Sequence, residues 1–268
     1  MHHVHAHLRA YLSDVAALPG GRLDEDGGMR WSRTPIPWPM FNGAIATPAL
    51  GRGDAAERAV AELAGAGLPW FMWVLPDTPA SVVDAAAQAG ATEFDHQAPW
   101  MEARIADLQD PELPSGVTIE EVCDEAGHRL WAATLREIYE FPKLGEQAWT
   151  MPGELCGWRD LPWRQWIAFA DGDPAAVALL YCGGGVAGLF GVGTKRALRR
   201  RGLGRLVTLL PLKASGEPLA GFFSTPEGAH LYRSLGFEPR GWVSRWLGGL
   251  PDPEALNHAR GSTGTGAS

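Results

Sequence analysis

Residues 195–205, KRALRRRGLGR, gather six cations (Lys195, Arg196, Arg199, Arg200, Arg201 and Arg205) around Gly202 and Gly204. The following residues, GLGRLVTLL, read as the opening of a helix. The first amides of a helix have no internal partner, and the helix dipole adds positive potential at that end. Glycines let an anion approach the backbone, and arginines supply charge-assisted hydrogen bonds. The chemistry this stretch suits is the holding of a phosphate or pyrophosphate. The plainer alternative is a solvated cationic helix start. Two familiar phosphate motifs are excluded. A P-loop ends in Gly-Lys-Ser/Thr, whereas Gly204 precedes Arg205 and Leu206, and the dinucleotide fingerprint needs a third glycine where GLGRLV has Val207.

The other reactive residue types say less on their own. Cys123, Cys156 and Cys182 form no C-x-x-C pair, and none opens a charged helix. A disulfide framework, a zinc site and a thiolate nucleophile are therefore not expected, and a reducing cytoplasm suits the chain. In the opening MHHVHAH the histidines lie two apart, off any common helix face, and no Cys, Asp or Glu joins them. They read as a flexible start, with no metal. Tyr232, in LYRSLGF, reads as a helix tyrosine with its ring in the core and its hydroxyl at the edge.

The 268-residue chain is 46% apolar and carries a net charge of −8. That acidity disfavours nucleic acid as a partner, because non-specific affinity follows the number of phosphates neutralised. No run of 18 apolar residues and no signal-type start occur, so neither membrane span nor secretion is expected.

The elements that must position the basic cluster are legible from residue 116 onward. GVTIEEV reads as a strand, and DEAGHRLWAATLREIYEF as a helix with Leu130, Trp131, Leu135 and Ile138 on one face. Residues 142–165, rich in Pro, Gly and Trp, read as less regular. QWIAFADGDPAAVALLYCGGGVAGLFGVGT reads as three strands turned by DGDP and GGG. After the basic turn and its helix, PLAGFFS reads as a buried strand. Thr225 caps a helix with Pro226 in its first turn, that helix ends at Gly236, and RGWVSRWL returns as a strand. The earlier half echoes this order. WFMWVLP at 70–76 resembles PLAGFFS, ASVVDAAAQAG ends at Gly90 as the later helix ends at Gly236, and a shift of 146 residues places Trp100 on Trp246. The expected division is an extension at 1–29, a first half at 30–105, a linker at 106–115, a second half at 116–248 and a disordered tail at 249–268.

Arg199-Arg200-Arg201-Gly202-Leu203-Gly204, preceded by LFGVGT, resembles the Gln/Arg-x-x-Gly-x-Gly/Ala acetyl-CoA signature of the GCN5-related N-acetyltransferases. Tyr232, four residues before Gly236-Phe237, resembles that family's second hallmark. The resemblance covers roughly 116–248, and the first half looks like a degenerate partial copy, as in two-domain members. It implies an α/β (α+β) fold with a mixed central sheet flanked by helices. It also implies an enzyme moving acetyl from acetyl-CoA to an amine on a small molecule by direct attack. The loop amides and side chains from Arg199 through Arg200, Arg201, Gly202, Leu203, Gly204 and Arg205 would hold the pyrophosphate. Val192, Gly193 and Thr194 would pair with the pantetheine arm, and a strand amide near Gly193 would polarise the thioester carbonyl. Tyr232 would protonate the departing thiolate, since a phenol with pKa near ~10 is protonated at neutral pH and can still donate. Glu137, Glu140, Asp160 or a water would take the amine's proton. The tryptophans of the acceptor-side region (Trp131, Trp149, Trp158, Trp163, Trp166) suggest a pocket for a flat or apolar acceptor. Two departures stand out. Arg200 occupies a position where the family often has glycine, and Pro211 is expected to interrupt the helix after the loop. Rival functions are a non-catalytic acyl-CoA-binding module, or the same fold with another acyl donor or with thioester decarboxylation.

Overall fold

Paired left-handed residues set the hairpins. Gly27-Gly28, Asp171-Gly172 and Gly184-Gly185 all have positive φ, the tight-turn geometry that matches strand twist. They join β1 (Arg22–Asp26) to β2 (Met29–Arg33), β7 (Trp163–Ala170) to β8 (Asp173–Gly183), and β8 to β9 (Val186–Thr194). The computed structural model describes residues 2–46, 54–141 and 143–249. The expected tail at 249–268 lies, beyond Gly249, outside the described residues. The remaining strands are β3 (Gly43–Ala46), β4 (Trp70–Val74), β5 (Thr92–Arg104), β6 (Val117–Glu121), β10 (Leu219–Phe223) and β11 (Glu238–Gly248). The helices are α1 (His2–Ala16), α2 (Ala55–Gly65), α3 (Ala80–Gln88), α4 (Glu125–Tyr139), α5 (Lys143–Cys156), α6 (Leu203–Lys213) and α7 (Pro226–Ser234). Among the described residues no helix is long and apolar enough to cross a membrane.

All eleven strands form one mixed sheet in the order β1-β2-β3-β4-β11-β5-β10-β9-β8-β7-β6. The succession strand, strand, helix, strand, helix, strand occurs twice, as β2-β3-α2-β4-α3-β5 and β8-β9-α6-β10-α7-β11. Helices α3 and α7 are 146 residues apart and of equal length, and Gly90 and Gly236 behind them both have positive φ. The two series exchange their last strands. β4 pairs with β11, and β10 pairs with β5, both antiparallel. β5 and β11 then pair with each other, so the sheet's centre is built from both ends of the chain.

One face of the sheet carries α1, α4 and α5 over a core that includes Trp73, Trp100, Trp131, Trp149, Trp163, Tyr181 and Val243. The opposite face divides into two cores, one under α6 and α7 and one under α2 and α3. Alternation along β8 shows the division: Val177, Leu179 and Tyr181 face α1 and α4, while Ala176, Ala178 and Leu180 face α6.

Several sequence expectations need correction here. The histidine-rich start is a helix, because Val4, Leu8, Tyr11, Leu12 and Val15 recur at helical spacing and are all buried. His7 is buried too, its Nδ1 3.0 Å from the Gly183 carbonyl oxygen. Much of segment 142–165 is the helix α5, with Pro152 inside it. On α4, Trp131 and Leu135 are buried as expected, but Leu130 is exposed and His128, Ala132 and Thr134 take its place. Pro211 does not end α6, which runs on to Lys213. The tryptophan cluster is largely core. Trp149 and Trp163 are buried against Phe41 from the first half, Trp131 is buried against Trp149, Trp158 stacks on His128 beneath Arg129, and Trp166 lies beneath Arg164.

Candidate functional site

The two parallel central strands of the second half, β9 and β10, meet at one register pair, Ala220 with Ala187. Beyond it they part, leaving the carboxyl end of β9 without a partner on that side. β9 also bulges there. Gly191 and Val192 together oppose Ala178, between the pairs Phe190–Leu179 and Gly193–Val177. Gly191 has φ +56°, the left-handed conformation that lets one extra residue fit. A bulge takes a backbone group out of the ladder, so the strand presents free polar groups to the cleft. In the first half the equivalent strands stay closed, with β3 and β4 paired at three successive positions. There Trp73 packs onto Gly43, and a Cβ on that glycine would collide with the indole.

The β9 strand leads directly into the basic turn. Lys195–Arg199 forms a single tight turn, Arg200 has φ +63°, and Gly202, with φ +80°, caps α6. Among the described residues no acceptor meets the amides of Arg200, Arg201 or Gly202, and those of Leu203, Gly204 and Arg205 are the orphan donors of the helix's first turn. Nothing crowds the glycines: the nearest atom to a Cβ on Gly202 would be Pro114 Cγ at 3.7 Å. Lys195 pairs with Glu137 at 2.8 Å, Arg201 with Asp171 at 3.5 Å, and Arg205 donates to Gln109 at 2.7 Å. Arg196, Arg199 and Arg200 form no ion pair among the described residues, although Arg199 Nε donates to the Thr194 carbonyl at 3.3 Å. At Arg200, where the resembled family often has glycine, the backbone holds a positive φ that favours glycine.

Two tyrosines close the cleft. Tyr232 is buried on α7 against Phe222, with ring centroids 4.6 Å apart. Burial raises its hydroxyl well above the ordinary phenol range, and nearby Tyr139 adds to the rise. Thr225 holds the start of α7 by accepting from the Gly228 amide at 3.1 Å. Tyr139, at the end of α4, was absent from the sequence expectations. Its hydroxyl donates to the Val192 carbonyl at 2.7 Å, clamping the bulge, and Ile138 packs against Gly193 where a Cβ would collide. Burial pushes the Tyr139 hydroxyl up to about 12, while the guanidiniums of Arg245 and Arg199 pull against it. The only sequence signal for Tyr139 was its place at the end of a helix facing glycines.

The candidate bases are not together. Glu137 and Glu140 line a groove of about 610 Å³ with Lys195, Arg196 and Arg199. Asp160 lies at the far end of α5, its amide bonded to the Gly157 carbonyl. The histidines of α1 go to separate partners: His3 to Glu102, His5 to Asp77, and His7 to Gly183.

The sequence matches no family model and no curated protein. Solved structures share its fold. A GCN5-related N-acetyltransferase from Kribbella flavida superposes with a TM-score of 0.69 at 21% identity, covering 94% of this chain and 97% of that one. A tandem protein of the same fold from the clavulanic acid biosynthesis pathway gives 0.55 at 17% identity, with 88% and 86% covered. A GCN5-related N-acetyltransferase from Sphaerobacter thermophilus gives 0.56 at 14% identity, with 84% and 82% covered. Over most of its length the chain therefore has the GCN5-related N-acetyltransferase fold.

Proposed function

We propose that this chain, which has the fold of the GCN5-related N-acetyltransferases, moves an acyl group from acetyl-CoA to the amine of a small molecule. The observation that carries the proposal is the continuous path from the parted, bulged end of β9 into a turn of unpartnered amides at the start of α6. A pyrophosphate fits that turn. The amides from Arg200 to Gly204 would donate to it, and Arg196, Arg199, Arg200, Arg201 and Arg205 would add charge. Val192, Gly193 and Thr194 would pair with the pantetheine arm. The Val192 carbonyl, already accepting from Tyr139, keeps a second lone pair for that purpose. A strand amide at the bulge, near Gly193, would donate to the thioester oxygen as negative charge develops there.

The reaction then balances without a covalent enzyme intermediate. The amine nitrogen attacks the thioester carbon and forms the C–N bond. The C–S bond breaks, and the Tyr232 hydroxyl gives its proton to the departing sulfur. The amine's surplus proton leaves to solvent, or to Glu137 or Glu140 at the groove, and Tyr232 regains a proton from solvent. Asp160, in the turn after α5, does not line that groove. A phenol whose burial keeps it protonated suits the work of an acid.

The halves 30–105 and 116–248 form a tandem in this proposal. The first is a degenerate partner that supplies strands and a wall, with one coenzyme bound per chain. Three free cysteines suit a reducing cytoplasm.

The test combines binding and turnover. Acetyl-CoA at a hundred times its Kd should stabilise the protein by about 2.7 kcal/mol, and thiol release should appear with members of an amine panel. Replacing Gly202 and Gly204 together with valine should abolish both. Undiminished binding by that variant removes the loop assignment. Binding without turnover on any amine assigns the chain to acyl-CoA binding alone.

A further inference from the structure

The strand exchange brings one more charged group to the cleft. β10 ends at Phe223, opposite Trp100 of β5. β5 continues past that end toward Thr92, so its residues 93–98 stand across the cleft from the bulged end of β9. β11, inserted between β4 and β5, sets Arg245 beside both Asp95 and Trp73. The Arg245 side chain is about three-quarters buried, as is that of Asp95. Its Nε donates to Asp95 Oδ2 at 2.7 Å, and its Nη2 donates to the same oxygen. The guanidinium lies over the rings of Phe71 and Phe94, 5.2 and 5.4 Å from their centroids. The two bonds to Asp95 engage one of its two oxygens and only two of the five N–H donors of the guanidinium. The guanidinium is also close enough to act on the Tyr139 hydroxyl, the group that clamps the bulge.

A planar cation fixed by one carboxylate oxygen and two rings keeps a donor edge in one orientation. Such an edge matches a carboxylate, and half-buried Phe94 beside it offers apolar contact. We propose that Arg245 binds the carboxylate of the acceptor, and that the acceptor is an α-amino acid with an apolar side chain. The proposal rests on the acyl-transfer function above and names the substrate class of that site. Asp95 acts as a positioning residue, holding the guanidinium in register.

The experiment compares apolar α-amino acids with their decarboxylated amines, pairs such as phenylalanine and 2-phenylethylamine. Thiol release is followed at saturating acetyl-CoA, and acetyl-CoA binding is measured separately by calorimetry. The parent should favour the amino acids. Arg245→Gln should raise their KM about ten- to hundredfold, the worth of a charged hydrogen bond. It should leave kcat/KM for the decarboxylated amines within about twofold and acetyl-CoA affinity unchanged. Arg245→Lys should recover part of the loss, and melting curves on both variants check that they fold. A parent that favours the decarboxylated amines, or an Arg245→Gln variant that slows both sets equally, overturns the proposal. Weakened acetyl-CoA binding in that variant moves Arg245 to the donor side and overturns it too. If the parent binds acetyl-CoA but turns over neither set, this acceptor class is wrong while the donor site stands. If the parent fails to bind acetyl-CoA, the function itself is wrong.

Discussion

Acid should loosen the helix that spans the base of the cleft, through His7. The imidazole is buried among Trp100, Tyr181 and Phe190, and Gly188 lies beneath it, where a Cβ would collide with the ring. Burial lowers its pKa to about 4, with hydrogen bonds to the Gly183 and Val186 backbone opposing the shift. The unfolded chain protonates His7 near ~6.5. Between those values the unfolded state binds more protons than the folded one, so stability is present above the unfolded pKa and is lost as pH falls toward the folded pKa. At 1.36 kcal/mol per pKa unit, the loss from His7 between pH ~7.5 and pH ~5 is about 2 kcal/mol, and about 3.4 kcal/mol once both states are protonated. Urea titrations at the two pH values measure it. His7→Asn keeps a donor near Nδ1 but cannot titrate. It should be less stable than the parent at pH ~7.5, through lost ring packing, and its acid-induced loss should be smaller by about 2 kcal/mol. The carboxylates that also respond to acid are common to both proteins and cancel. An equal acid loss in parent and variant would refute the neutral, buried His7.

Tyr232→Phe should lower kcat by about 10²–10⁴-fold with acetyl-CoA affinity unchanged; an unchanged kcat, with chemistry limiting, leaves Tyr232 as core packing. Arg200→Gly should stabilise the ligand-free protein by up to about 1 kcal/mol in urea titration, since a left-handed non-glycine residue costs about 1–2 kcal/mol and glycine returns part of that as chain entropy. A less stable variant would show that the arginine side chain outweighs the strain. Calorimetry should give one acetyl-CoA per chain, because the first half's β3 and β4 are closed and Trp73 fills the space over Gly43; two equivalent sites would contradict this. Residues 116–248 alone should give no cooperative unfolding transition, as β10 loses its partner β5 and β11 loses both neighbours. A folded, acetyl-CoA-binding fragment would refute that dependence.

Local chemistry was legible in the sequence wherever a few adjacent residues impose a conformation. Asp171-Gly172 and Gly184-Gly185 permit only tight turns, Thr225 and Pro226 open a helix, and Gly236 closes it. The basic turn before α6 was legible for the same reason, since its glycines and charges act on a backbone a few ångströms away. The helix α1 was legible in principle, from Val4, Leu8, Tyr11 and Val15, but the histidines between them drew the reading toward a loose end.

Only the tertiary structure decided which strands share an edge. β4 and β10 are similar apolar runs, β5 and β11 are long strands of mixed polarity, and nothing within either pair of sequences dictates own-half or crossed pairing. The choice depends on the summed burial of three cores and on α1 binding both halves. From that choice follows the partnership of Asp95 with Arg245, 150 residues apart. The tertiary structure likewise packs Trp149 and Trp163 on Phe41, and Trp131 on Trp149, in the core. Residue types and short spacings determined what this chain can hold at one loop. The long-range register determined what stands across from that loop, because side chains so distant in sequence meet only after the backbone's hydrogen bonds have fixed which strands lie side by side.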